Sequence, residues 1–331
     1  MTQKNEAILN SIKGENVYSV IDKFLFHCEF EKNLSPKTLQ AYQTDLKQFT
    51  NSLDFSENSH SILLIDKTVL RKYLGTLTGF SPKSMKRKIA TLKAMFSYLE
   101  FDDLIPANPF RKMNIRIKEP HRLPVVMDQQ EIRRLLKSAY IEKLKTKDKK
   151  SYAYAVVVRD ITVMELLFAT GIRVSELCTL GKQNIDRDSG LVQVTGKGSK
   201  ERIVQVVDPE VLNILREYFE LFRAQILDTG FFFINRLGNR LSDQSVRLMI
   251  KKYSIIAKIA KHITPHTFRH TFATLLLEED VDIRYIQKFL GHSSIVTTQL
   301  YTHVSSQKQQ QILIAKHPRK SFRMHDISLS E

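Results

Sequence analysis

Six side chains able to handle a phosphate are scattered through the second half of the sequence, in apolar or turn-like surroundings. Arg173 follows Thr170-Gly171-Ile172 and opens the helical pattern Val174-Ser175-Glu176-Leu177. A guanidinium in so apolar a stretch is costly to desolvate unless an anion pairs it. Lys197 stands between Gly196 and Gly198 at the tip of an expected hairpin, free to reach outward. In Pro265-His266-Thr267-Phe268-Arg269-His270, the spacing puts His266 and Arg269 on one helix face, with Phe268, Phe272 and Leu276 on the buried side. Gly291-His292 closes another helix, and Tyr301 follows within Gln299-Leu300-Tyr301-Thr302-His303. Taken singly, a tip lysine, a histidine after a glycine and a tyrosine read as ordinary surface or core residues. The combination is what carries chemistry.

A metal reading fails on spacing. His262, His266 and His270 recur every fourth residue, but Pro265 breaks the register, no carboxylate stands at zinc-protease spacing, and neither cysteine is near. Two arginines, a lysine, two histidines and a tyrosine also make a poor magnesium site, because that ion takes carboxylate oxygens. They make a good phosphate site. Arginines neutralise the non-bridging oxygens by forked hydrogen bonds, a histidine adds a donor, and a tyrosine hydroxyl can attack phosphorus. A phenol ionises only near pH ~10 unless cations and a base assist it, and these neighbours are of that kind. The expected chemistry is phosphoryl transfer to tyrosine with no metal and no cofactor.

The elements that position these groups are mainly helices. From Val17 to Leu104 the apolar stripes Val20/Phe24/Leu25/Cys28, Leu39/Tyr42/Leu46/Phe49, Val69/Tyr73/Leu74/Leu77 and Ile89/Leu92/Met95/Phe96/Leu99 predict four helices, two of them opened by Ser35-Pro36 and Ser81-Pro82. Pro106, Pro109, Pro120 and Pro124 punctuate a basic stretch, Arg111 to Arg122, that reads as an extended linker. Asp128 with Glu131 predicts a capping box at the start of the second unit. Residues 142–150 read as a solvated loop between two helices. Residues 161–180 form an apolar helical region broken at Thr170-Gly171, and Leu191 to Val194 with Arg202 to Val207 form a hairpin. Helices are expected near 209–227, 242–260, 267–278, 282–290 and 294–303. The fold class expected is mainly α with a small antiparallel sheet, as a two-domain DNA clamp.

Composition narrows the partner. The 331 residues carry 51 Lys and Arg against 35 Asp and Glu, a formal charge of +16. Both halves share the excess, which points to a polyanion touched by both, nucleic acid before an acidic membrane surface. Lys67, Arg71, Lys72, Lys83, Lys86, Arg87, Lys88 and Lys93 form a run without a single acidic residue between Lys67 and Lys93, and they are the candidate DNA-binding residues of the first unit. No apolar stretch reaches the length of a membrane span, and the start MTQKNEAILN is polar, so a cytoplasmic protein with no membrane partner is expected. Cys28 and Cys178 fall in apolar helical patterns and read as buried thiols.

Four strings in this order resemble the tyrosine site-specific recombinases, and among them the Xer-type group: Ala169-Thr170-Gly171-Ile172-Arg173-Val174-Ser175-Glu176-Leu177; Gly196-Lys197-Gly198-Ser199-Lys200-Glu201-Arg202; Pro265-His266-Thr267-Phe268-Arg269-His270-Thr271-Phe272-Ala273-Thr274; and Leu290-Gly291-His292-Ser293-Ser294 with Tyr301-Thr302-His303-Val304. Leu34 to Thr38 and Asn108-Pro109 resemble the same family's core-binding domain, so the resemblance spans about residues 17–318. It implies an N-terminal extension (1–16), a SAM-like core-binding domain (17–107), a linker (108–126), a catalytic domain (127–310) and a tail (311–331) that contacts a neighbouring protomer.

The resemblance also implies roles. Tyr301 attacks a scissile phosphate, forming a 3′-phosphotyrosyl bond and freeing a 5′-hydroxyl. Arg173, Arg269 and His292 stabilise the transferring group, Lys197 protonates the leaving oxygen, His266 orients or deprotonates the tyrosine, and Glu176 holds the hydrogen-bond network. The implied partners are a duplex recombination site, a homo- or hetero-tetramer of recombinases, and a septal DNA translocase. The expected function is site-specific recombination through a Holliday junction, in the Xer-like role of resolving chromosome or plasmid dimers. Service to a mobile element as integrase or resolvase is the alternative, type IB topoisomerase chemistry would use the same residues, and the intact set of six speaks against a non-catalytic architectural role. The 142–150 segment and the extended tail depart from the closest Xer pattern.

Overall fold

Serine and aspartate caps set the helix starts in both halves of the chain. The computed structural model describes residues 16–53, 61–119, 124–196, 201–291, 306–322 and 324, with backbone alone at 306–309. The chain divides into two compact units, 1–122 and 123–331.

In the first unit, α1 (Val17–Phe26) is capped by the Asn16 side chain and runs on through a π-turn at His27–Glu31. Ser35 caps α2 (Pro36–Thr50), Asp66 caps α3 (Lys67–Thr76), and Ser81 caps α4 (Pro82–Phe101). Proline at the first helical position costs nothing there, because that N–H has no intrahelical partner anyway. The four expected stripes converge on one core around Phe24, Phe49, Tyr73, Met95 and Phe96, with Cys28 inside it.

One candidate DNA contact is corrected here. Lys88 is 2% exposed, and its Nζ donates to Asp45 Oδ1 at 3.1 Å and to Gln48. It lies on the same face of α4 as Leu92, Met95 and Leu99, so the helix turns it inward, where the buried Asp45 also accepts from Arg87 and Thr91. Lys88 is a core ion-pair partner and offers nothing to a phosphate.

In the second unit, Asp128 and Glu131 form the expected capping box on α5 (Gln129–Lys145). The helix continues to Lys145, so the expected 142–150 loop is shorter: Lys143 is held by Glu217 at 2.5 Å and Glu142 by Lys252 at 2.6 Å. The central α6 (Tyr152–Thr170) is buried along almost its whole length and packs against α5, α8 (Pro209–Thr229) and α10 (Pro265–Glu278). Between α6 and α8 come α7 (Val174–Cys178) and the hairpin β1 (Leu191–Thr195) and β2 (Glu201–Gln205), antiparallel in the register Val194 with Arg202. After α8 follow α9 (Asp243–Ile256), α10, α11 (Ile283–Leu290) and α12 (Ser306–Lys316). Met127 N donates to Thr271 Oγ1 at 2.9 Å, pinning the start of the unit to α10.

The described tail residues seat in their own unit. Leu313 packs with Phe272 and Leu276, and His317 lies between the rings of Phe168 and Phe272. Arg319 is fully buried. Its Nε and Nη2 meet Glu165 at 3.0 and 3.1 Å, Nη2 meets Glu210 at 2.8 Å, and Nη1 meets the Phe322 carbonyl at 2.7 Å. Tyr140 donates its hydroxyl to the same Glu165. Arg319→Ala therefore leaves the Glu165 carboxylate buried beside a void. It is expected to lose about 3–5 kcal/mol of stability, read by urea unfolding.

Candidate active site

Two left-handed glycine corners frame the site. α6 ends at Gly171 (φ +63°), where a Cβ would stand 2.6 Å from Phe272, and α11 ends at Gly291 (φ +64°), where a Cβ would stand 2.9 Å from Arg202. Only glycine fits either place, for backbone and for packing.

Just past the first corner, Arg173 is the N-cap of α7 and Glu176 its third residue. Arg173 N donates to Glu176 Oε2 at 2.8 Å and Arg173 Nη1 to Oε1 at 2.7 Å. From β2, Arg202 forks onto the same carboxylate, Nη1 to Oε1 at 3.0 Å and Nη2 to Oε2 at 2.8 Å, while its Nε reaches the Phe289 carbonyl at 3.1 Å. Burial alone would push the Glu176 carboxyl up. Hydrogen bonds from Arg202 and the Arg173 backbone, with the charge of Arg202, outweigh it and hold the carboxyl at about 2.

Arg269 approaches from α10. Its Nη1 donates to the Gly171 carbonyl at 2.7 Å and its Nη2 to the Leu290 carbonyl at 2.6 Å, so one guanidinium stitches the two corners together. Burial first, and then the charge of Arg173, lower it to about 10, which leaves it charged at neutral pH. Arg173 and Arg202 grip a single carboxylate and Arg269 adds its charge nearby, a surplus of positive charge suited to a phosphodiester that gains charge as it becomes five-coordinate.

His266, on the first turn of α10, is exposed. Its pKa is lowered by partial burial, then by His270 and by the charges of Arg269, Arg247 and Arg173. The arginine field thus reaches His266 and favours the neutral imidazole, the form able to take a proton. His270 is likewise lowered, by burial and by Arg269. Arg173, Glu176, His266 and Arg269 are brought together, whereas Lys197, His292 and Tyr301 lie outside the described residues. Among the described residues no group of His, Cys, Asp and Glu could hold a metal ion.

The pH dependence follows from Glu176. A carboxyl whose folded value is lowered stabilises the fold above its ordinary value of 4.5, and that contribution fades as pH falls toward about 2. The stability gap between the parent and Glu176→Gln should accordingly be constant from pH 7 to about 4.5 and close below it, as thermal melts across that range would show.

Sequence reading alone passed over Arg202 and Arg247. Arg202 carried a signal: strand alternation puts it on the same face as Val204 and Val206, both buried. Arg247 carried none, since it belongs to an ordinary amphipathic helix. On the first unit, Arg71, Lys72, Lys83, Lys86, Arg87 and Lys93 are exposed and Lys67 is half-buried. Lys86 pairs with Glu119 at 2.8 Å, and Lys86 and Lys93 line a cleft with Arg116 and Lys118.

Known proteins share this organisation. The Phage integrase family model matches residues 125–308, and the Phage integrase, N-terminal SAM-like domain model matches 21–101. A tyrosine recombinase of Agathobacter rectalis is 46% identical over 308 residues, covering 93% of this chain and 99% of that protein. The tyrosine recombinase XerD of Staphylococcus saprophyticus is 38% identical over 309 residues, covering 91% and 99%. Among solved structures, the XerH recombinase bound to its difH substrate in a pre-cleavage complex superposes with a TM-score of 0.63 at 22% identity, covering 93% of this chain and 87% of that one. A lambda integrase tetramer bound to a Holliday junction gives 0.64 at 18%, covering 92% and 84%. At those identities the two structures speak for the fold.

Proposed function

From the premise that this chain belongs to the phage integrase family and is a tyrosine recombinase, we propose that it exchanges DNA strands through a 3′-phosphotyrosyl intermediate made by Tyr301. The phenol oxygen bonds to phosphorus as the bond to the 5′-oxygen breaks, and Lys197 gives that oxygen its proton. An incoming 5′-hydroxyl reverses the step, so the phosphodiester energy is kept in the covalent bond and no fuel is consumed. Arg173, Arg269 and His292 hold the phosphoryl oxygens, His266 receives or orients the tyrosine proton, and Glu176 keeps Arg173 in place. The observation that carries this reading is the corner where Arg173 and Arg202 grip Glu176 and Arg269 adds its charge, positively charged in sum and still partly open: the Arg173 side chain is 34% exposed.

The biological role proposed is Xer-like resolution of chromosome or plasmid dimers, by a tetramer of recombinases passing through a Holliday junction under a septal DNA translocase. Its support is 38% identity to XerD along nearly the whole of that protein. Contact between protomers would draw on the α12 region, where Ile314 is exposed while Leu313 is buried at home. The test is a supercoiled plasmid carrying two copies of the chain's own site. Conversion to monomer circles supports dimer resolution, and insertion into a separate target plasmid supports a mobile-element integrase instead.

The basic face of α3 and α4 is proposed to contact the duplex backbone. Lys83→Ala and Lys93→Ala should each reduce the slope of log affinity against log salt by about 1. Lys88→Ala should leave the slope alone and lower stability instead. Gel-shift titrations at several salt concentrations, with melts, separate the two effects.

A further inference from the structure

One guanidinium at the corner is bound to partners inside the protein. Arg202 sends Nη1 and Nη2 to Glu176 and Nε to the Phe289 carbonyl, so all three of its nitrogens are engaged within the protein. Its side chain is 14% exposed, against 34% for Arg173. It is therefore placed to orient other groups.

Its two attachments lead to both halves of the site. Through Glu176 it fixes the plane of the carboxylate that grips Arg173 at Nη1 and at the backbone. Through Phe289 it holds the last turn of α11, whose Leu290 carbonyl accepts from Arg269 and whose Gly291 leaves Arg202 its room. Without Arg202, the carboxylate keeps, among the described residues, only donors from Arg173, a residue on its own short helix, and can turn with it. A lysine carries its three N–H donors on a single nitrogen, which could not span two oxygens and a carbonyl.

We propose that Arg202 is a positioning residue for phosphoryl transfer, acting through Glu176 on Arg173 and through the Phe289 carbonyl on the end of α11 that Arg269 holds. The inference rests on the tyrosine-recombinase reading above. A purely structural role is the competing account, and the hairpin argues against it. Val192, Val194, Val204 and Val206 all bury against the catalytic core, so the sheet is docked without Arg202.

The test uses the full-length chain and a nicked duplex of the sequence that the parent protein selects from randomised DNA. Covalent adduct formation is followed at a temperature where circular dichroism shows every variant folded, with duplex affinity measured alongside. Arg202→Ala should slow adduct formation about 100-fold, the usual cost of a small misplacement of reacting groups, with unchanged affinity. Arg202→Lys should restore part of the rate. The double variant Arg202→Ala/Glu176→Gln should be no slower than the slower single one, because both act through one carboxylate. Parent-like cleavage by Arg202→Ala, a loss explained wholly by weaker DNA binding, or additive losses with Glu176→Gln would overturn the proposal. If Arg202→Ala does not fold, Arg202→Lys and Arg202→Gln supply the same comparison. Absence of adduct with the parent protein itself would instead sink the tyrosine-recombinase mechanism.

Discussion

Tyr301→Phe protein should retain duplex binding and form no covalent DNA adduct. The change removes one oxygen and no charge, so the basic surface proposed to hold the phosphodiester backbone is untouched. What disappears is the only atom proposed to bond to phosphorus. Deleting a nucleophile from a pre-organised site costs on the order of 10⁴-fold or more. Water lacks the geometry to replace it with a linkage that survives denaturation. The measurement is a suicide duplex nicked next to the scissile position, resolved on a denaturing gel. Adduct in the Phe variant would move the nucleophile to another residue, and loss of binding would mean that Tyr301 supports the fold. Tyr301 lies outside the described residues, so the assignment rests on motif and chemistry.

Arg269→Ala should fail in two ways at once, which separates it from the tyrosine variant. The side chain donates to the carbonyls of Gly171 and Leu290 at 2.7 and 2.6 Å. Truncation strands two buried acceptors, each worth about 1–3 kcal/mol when unmet, so the unfolding midpoint in urea should fall clearly. It also removes a preorganised cation from the transferring phosphate, a loss of about 10²–10³-fold in cleavage. Arg269→Lys keeps a charge but cannot reach both corners, and it should fall between the parent and Ala in stability and in rate. Parent-like stability in the Ala variant would show that the two glycine corners hold without the guanidinium. Parent-like cleavage would remove Arg269 from the reaction.

Arg269 and Lys88 also show where sequence reasoning succeeds and where it stops. The spacing of His266, Arg269, Phe268 and Phe272 predicts a face shared by His266 and Arg269 opposite an apolar one. In α10 the apolar residues are buried as expected, but Arg269 is buried with them while His266 is exposed. Nothing in that spacing says that Arg269 will spend its nitrogens on carbonyls more distant in the chain. Lys88 looked like one more member of a basic run. The apolar period through Leu92, Met95 and Leu99 already turned it inward, but an inward lysine is tolerable only if an anion waits there, and Asp45 comes from a different helix.

The sequence by itself determined the family and the helix starts at Ser35, Ser81 and Asp128, because motif order, apolar periodicity and capping act over a few residues. Tertiary structure alone decided that Arg202 backs Glu176, that Arg269 joins two glycine corners, and that Arg319 draws the tail into its own unit. Each of these is a charge removed from water, and its cost is met only by a partner that folding brings from elsewhere in the chain. Such pairings depend on which elements meet, and no local pattern records them.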